Sequence, residues 1–209
     1  MKKEKKMTWY DVTLFQFERL QEALKIEDDT EKTLAVAEAI LGEEVCNLPL
    51  KEFNEATKQL DFLKEEVPTK NHPPKNLEIN GRKYVMDCLL GNVSTAQYVD
   101  YMNHCKGENP DVSKMLSVFI IPEGHKYNDG YDMLQVMNDI KGLPIPIVNS
   151  AAFFFGKQFN VFMKIFQRYS IKQLKKTDTP REAKKKLAKV GEDSVNLVLY
   201  LLKKIKLKQ

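Results

Sequence analysis

Cysteine is scarce in this chain of 209 residues: Cys46, Cys88 and Cys105 are all it has. An odd, small number spread over this length offers no disulfide framework and points to a reducing, intracellular compartment. Glycine is also sparse, with nine residues scattered singly. That distribution cannot build a phosphate-cradling loop, and neither Gly-x-x-x-x-Gly-Lys-Ser/Thr nor Gly-x-Gly-x-x-Gly occurs. The Gly-x-Ser-x-Gly turn of serine hydrolases and the His-Glu-x-x-His pair of zinc proteases are missing as well. Zinc-finger spacing, an aromatic–basic RNP pattern and a KH loop are equally absent. After the basic start Met1–Lys6, the stretch Trp9–Leu24 contains Asp11, Glu18, Arg19 and Glu22. It cannot serve as the apolar core of a signal peptide, so none is expected.

What is present is ordinary for a folded protein: 43% apolar and 30% charged residues. The net charge of +4 is unevenly placed. Lys172–Gln209 holds 12 basic and 4 acidic residues, the first seven residues hold 4 Lys and 1 Glu, and Thr8–Ile171 holds 17 basic against 24 acidic. Both ends are basic and the body is acidic. Such ends suit nucleic acid, an anionic surface or an acidic protein face, or simply solvate helix termini.

Apolar spacing predicts a mainly α fold, a helical bundle with a small β-hairpin and long C-terminal amphipathic helices. Leu14, Phe17, Gln21 and Leu24 share one helical face, with Asp11 as the expected N-cap. Asp29 is placed to cap a helix over Glu31–Leu41, which Gly42 would close. Pro49 starts a third helix carrying Leu50, Phe53, Thr57 and Leu60, expected to end near Glu66. Thr69–Lys75, with Pro73-Pro74, reads as an exposed linker. Leu77 and Ile79 precede Asn80-Gly81, and Tyr84 and Met86 follow, which is a hairpin pattern. Two strands alone are marginal, so the hairpin must pack on helices or pair with another strand. Ser94 or Thr95 caps a helix through Tyr101 and Met102. Met115–Ile121 fits a helix end or a short strand equally. Tyr131–Ile140 is expected as helix, and Leu143–Pro146 as an extended connector. The expected divisions are a helical part over 1–68, a helical part with the hairpin over 76–174, and a basic C-terminal helix over 178–209.

The longest apolar stripe runs from Val148 through Ala152, Phe155, Phe159, Phe162, Phe166 and Tyr169. Lys157, Gln158, Asn160, Lys164 and Gln167 interrupt it, which argues against a membrane span. Phe153 and Phe154 lie partly off the stripe, giving the helix apolar surface on more than one side. Phe153, Phe154, Phe159 and Phe162, with Lys184, Lys185, Lys186 and Lys189 of the last helix, form the candidate interface. For metal chemistry the available residues are Cys88, His104, Cys105 and His125. Adjacent His104 and Cys105 would face different sides of a helix, so neither a metal nor a cofactor is expected. Glu123–Gly130 is the loop richest in functional groups, and a structural turn explains it more simply than catalysis. Glu43-Glu44 and Asp28-Asp29 sit at helix ends, where capping accounts for them.

Trp9-Tyr10-Asp11-Val12-Thr13-Leu14 at a helix start, Leu41-Gly42-Glu43-Glu44-Val45 at a helix end, and Asn47-Leu48-Pro49-Leu50-Lys51-Glu52-Phe53 follow in order. Over this first third the chain resembles the small helical tail-assembly chaperones of tailed bacteriophages. Ile79-Asn80-Gly81-Arg82-Lys83-Tyr84, Thr95–Tyr101, Ile121-Pro122-Glu123-Gly124 and Tyr127–Asp132 follow between positions 79 and 132. These look similar to proteins of crAss-like phages that infect gut Bacteroides. The resemblance implies a non-enzymatic virion or assembly protein, located in the virion and in the bacterial host cytoplasm during assembly. Its expected partners are other phage structural proteins and further copies of itself. The hairpin, extra helices and basic tail depart from a minimal chaperone, which leaves a head–tail connector, ring or cargo protein open. No catalytic residue transfers with the resemblance. Non-specific DNA contact through Lys172–Gln209 is the alternative expectation.

Overall fold

The computed structural model describes residues 6–89, 91–105 and 111–158. A single 3-10 turn over Trp9–Asp11 leads into helix α1, Leu14–Ala23. The cap of α1 is Thr13, two residues beyond the expected Asp11. Thr13 Oγ1 accepts from the Gln16 amide at 3.2 Å, and Gln16 Oε1 accepts from the Thr13 amide at 2.9 Å, a reciprocal capping box. Asp11 instead accepts from the amide and hydroxyl of Thr8 and closes the preceding turn. The buried side of α1 is consequently Leu14, Phe17, Leu20 and Ala23, with Gln21 half-buried and Leu24 exposed.

Helix α2, Asp29–Leu41, is capped by Asp28, whose carboxylate takes the amides of Thr30 and Glu31 at 2.9 and 2.8 Å. Asp29, the expected cap, is the first helical residue. Gly42, at φ +100°, ends the helix where an L side chain would be strained. Helix α3, Leu50–Thr57, follows Pro49 and tightens into a 3-10 segment over Lys58–Lys64. The chain leaves helical geometry at Glu65, close to the expected end.

The hairpin forms as its turn residues require. Strands β1 (Asn76–Ile79) and β2 (Arg82–Met86) flank Asn80 at φ 52° and Gly81 at φ 74°. Two successive positive φ values are what an Asn-Gly hairpin turn needs. Leu77, Ile79, Tyr84 and Met86 face inward, all at 7% exposure or less. The hairpin acquires both kinds of support. Strand β3, Ile120–Pro122, pairs antiparallel with β2, Met86 opposite Ile120 and Tyr84 opposite Pro122. Helices cover the inward face. The ambiguous run 115–121 is therefore both things in turn: helix α5 (Val112–Ser117) and then β3. Helix α4, Thr95–His104, opens on a Ser94–Gln97 capping box. Helix α6, Met133–Lys141, starts two residues later than expected, because Asp132 takes the amides of Leu134 and Gln135.

The next helix, α7, is described over residues 145–158. It begins three residues before Val148, so the expected connector is shorter. Pro144 bridges to Thr13: the Leu14 amide donates to Leu143 O and the Ile145 amide to Val12 O, both at 2.8 Å. Pro146 falls in the first turn, where a missing N–H costs no helical bond. Ile145, Val148, Ala151 and Phe155 form the buried side.

One hydrophobic cluster joins these elements. It includes Trp9, Phe17 and Phe62 from the N-terminal third and Tyr84, Phe119, Ile140 and Phe155 from the rest. Trp9 stands edge-on to Phe62 at 5.2 Å, and its indole N–H donates to Glu65 O at 3.0 Å. The linker is exposed but tied down. The Lys70 amide donates to Ser150 Oγ at 2.8 Å, and Asn149 Nδ2 to Thr69 Oγ1 at 2.6 Å. The described residues are thus mainly helical with a small antiparallel sheet of order β1-β2-β3. Among them no helix is long and apolar enough to cross a membrane. The stripe from Phe159 onward and the 178–209 segment lie outside the described residues.

Phe155 packs against Phe119 at 4.4 Å and Tyr101 at 4.5 Å. Phe155→Ala is expected to cost about 3–5 kcal/mol in chemical denaturation. A loss below about 1 kcal/mol would place the ring outside the core.

Candidate functional site

The densest polar cluster surrounds Asp139, a carboxylate on α6 at 2% exposure. It receives Asn80 Nδ2 at 2.9 Å, one Arg82 guanidinium nitrogen at 2.9 and 3.2 Å, Gln135 Nε2 at 3.1 Å and the Tyr84 hydroxyl. Three of these donors come from the hairpin and one from the preceding turn of α6. Burial pushes the Asp139 carboxyl up. The bonds from Asn80, Tyr84 and Arg82, with the Arg82 charge, outweigh it and hold the carboxyl below the usual range. Burial and the bond to Asp139 push the Tyr84 phenol up to about 12. A carboxylate offers about four acceptor positions. Here they are taken, so Asp139 has no capacity left for a metal or a proton-transfer partner. Its chemistry is that of a lock between hairpin and helix. Gln97 is a second lock: its Nε2 donates to Val118 O at 2.9 Å, tying α4 to the joint between α5 and β3.

The four residues considered for metal binding are not assembled. Cys88 and Cys105 are buried around Tyr101. Burial pushes their thiols up to about 12 and about 11 respectively, which keeps them protonated and weakly nucleophilic at neutral pH. His125 lies in another loop, edge-on to Tyr131 at 5.9 Å and 4.0 Å from Asp129. Among the described residues there is no group of three or more His, Cys, Asp or Glu arranged to hold a metal ion. The Glu123–Gly130 loop is a succession of turns, with Gly124, Asn128 and Gly130 at positive φ. The Tyr127 hydroxyl anchors it by donating to Asp100 on α4 at 2.7 Å. Burial, with that bond, pushes the phenol well above its ordinary value.

Of the candidate interface, Phe153 and Phe154 are described. Both are half-buried on α7, while neighbouring Phe155 is in the core. The Lys157 ammonium sits 4.2 Å above the Phe153 ring, and Phe154 meets the His72 ring at 5.2 Å. Phe159, Phe162, Lys184, Lys185, Lys186 and Lys189 lie outside the described residues. The sequence pattern missed Asp139 and its donors. The available signal was an acid on the buried side of a helix that also carries Val136 and Ile140. No protein-family model, curated protein or solved structure matches this chain.

Asp139→Ala should lower stability by about 3 kcal/mol, at the low end for a broken buried pair, because Arg82 can return to water. The folded Asp139 value is depressed, so its stabilisation is complete above the unfolded carboxyl value near 4. It is lost as pH falls through the lower folded value. Acid titration of unfolding should lose that component in Asp139→Asn; an unchanged acid limb would contradict it. For Tyr84 the folded value is raised, so stabilisation persists below about 10 and is lost between there and about 12. Tyr84→Phe should flatten that alkaline limb.

Cys46 is the exposed thiol, although a hydrogen bond to Glu38 raises its value. An aromatic disulfide reagent at pH 8 should therefore modify one thiol in the native protein and all three in denaturant. Three thiols reacting at one rate would contradict the burial of Cys88 and Cys105.

Proposed function

We propose that this chain is a non-enzymatic protein of tailed-bacteriophage assembly. On this reading it acts by binding other proteins, as a virion component of the head–tail or tail region or as a tail-assembly chaperone. The observation that carries the binding role is α7. It buries Ile145, Val148, Ala151 and Phe155 and packs Phe154 along the edge of the core, yet leaves Phe153 half-exposed on another side. A helix with apolar surface on more than one side suits contact with a second protein surface. The phage assignment rests on the resemblance of the motifs quoted above. The densest polar groups have structural duties: Asp139 and Gln97 as locks, Tyr127 as a loop anchor. The interface on this reading includes Phe153, Phe154, Phe159 and Phe162 with the Lys184–Lys189 face.

The +8 balance of Lys172–Gln209 favours a second reading, contact with nucleic-acid phosphates. Binding that persists after removal of that segment, or that is absent at low salt, would dispose of it.

Mass spectrometry of purified phage particles, with light scattering of the protein alone and mixed with virion proteins, tests the first reading. The expected outcome is presence in particles, or a stable complex with a tail protein, and self-association that Phe153→Asp weakens. A strict monomer that is absent from particles and binds no virion protein would overturn it.

A further inference from the structure

The acidity of the body is concentrated in one stretch. Residues 27–66 hold 12 Asp and Glu against 4 Lys, a balance of −8. All of these acids except Glu38 are exposed. The same stretch contains α3, none of whose side chains is buried. Leu50 is 76% exposed and Leu48, just before it, 38%. Leu50, Phe53 and Thr57 share a helical face at i, i+3 and i+7 spacing. This is an amphipathic helix that leaves Leu50 open to solvent, with Phe53 and Thr57 half-buried behind it. Acids surround it: Glu43 and Glu44 in the preceding turn, Glu52 and Glu55 on α3 itself. Arg19 bridges Glu43 at 3.4 Å and Lys58 bridges Glu55 at 2.7 Å; Glu44 and Glu52 stand in solvent beside them.

A face of this kind selects an occupant that is basic and carries apolar side chains at helical spacing. The chain supplies one. Lys172–Gln209 has a balance of +8, equal and opposite to the acidic stretch. Its Lys184-Lys185-Lys186 and Lys203-Lys204 flank an apolar face of Leu187, Val190, Leu197 and Leu201. The described part of α7 ends at residue 158, and 13 residues lie between it and Lys172. Continued as the helix that the stripe predicts, at about 1.5 Å per residue, they span about 20 Å, more than the radius of gyration of about 15 Å expected for a body of this size; fully extended they would span up to about 45 Å. Reach therefore does not forbid the contact, and tethering raises its effective concentration to the millimolar range.

We propose that the acidic, leucine-bearing face around α3 is the docking surface for the chain's own basic segment, Lys172–Gln209. Docked, the segment's lysines are neutralised and Leu50 is covered. A partner or a nucleic acid that takes the segment must compete with this face, and raised salt favours release. The inference stands on the charge partition and on α3, independently of the phage reading.

Zero-length carbodiimide cross-linking of the full chain, followed by peptide mass spectrometry, tests it. At low salt, links are expected between Lys184–Lys204 and Glu43, Glu44, Glu52 or Glu55. In an equal mixture of unlabelled and 15N-labelled protein they should fall within one isotope. Leu50→Ser, at a site exposed enough to tolerate it and adding neither charge nor carboxylate, should lower the yield about tenfold, the loss expected when a leucine no longer buries. In the unmodified protein, acetylation of the basic segment's lysines should speed up severalfold on adding salt. Links to other regions, no links from the segment, or salt-independent lysine reactivity would overturn the proposal. Mixed-isotope links would overturn it in favour of a second copy as the occupant.

Discussion

The buried carboxylate of Asp139 sets the terms for the middle of the molecule. An ionised group at 2% exposure is costly unless its acceptor positions are filled. Three of the four donor residues that fill them belong to a hairpin more than 50 residues away in the chain, and the fourth, Gln135, to α6 itself. Asp139 therefore couples the stability of helix α6 to that of the β1–β2 hairpin. A two-stranded hairpin has little independent stability. Here β3 extends the ladder on one side and Asp139 fixes the turn. Asn80 serves both ends of this arrangement: its backbone takes the left-handed turn position and its side chain reaches the carboxylate. Gly142 completes the junction, since a Cβ there would come within 3.2 Å of Asp139 O.

A second junction joins the two ends of the described chain. Thr13 and Pro144 exchange backbone bonds through their neighbours, so α1 and α7 start from one short antiparallel bridge. Trp9 sits beneath it, edge-on to Phe17 and Phe62. The linker over 69–75 lies against α7 through Ser150 and Asn149, which orders a segment whose composition reads as loose. One hydrophobic cluster consequently spans both sides of that linker.

Local chemistry was readable from sequence where it is decided locally. The Asn-Gly turn, the Ser94 cap, the glycine after α2 and the inward alternation of Leu77, Ile79, Tyr84 and Met86 all follow from near neighbours. Caps shifted by one or two residues at α1 and α2, and of the two expected at α4 Ser94 is the one used. Thr13 displaced Asp11 because Gln16 stands where it can reciprocate, and Asp28 displaced Asp29 because its carboxylate reaches two amides at once. The run 115–121 was undecidable because its strand exists only through pairing with β2. Asp139 was invisible for the same reason: its meaning lies in residues that only the fold brings near. The interface residues were half-readable. Phe153 and Phe154 stand where a two-sided helix puts them, and the remaining candidates fall outside the described residues.

The emerging picture is a protein whose polar side chains hold its own elements together while apolar ones remain at the surface, around α3 and along α7. The central requirement is that hairpin and α6 form one cooperative unit through Asp139. Native-state hydrogen exchange measures this directly. The amides of β2 and α6 should open with the same free energy as each other, and that common value should fall for both in Asp139→Asn. Hairpin amides that exchange through a separate, cheaper opening, unaffected by the substitution, would contradict the account.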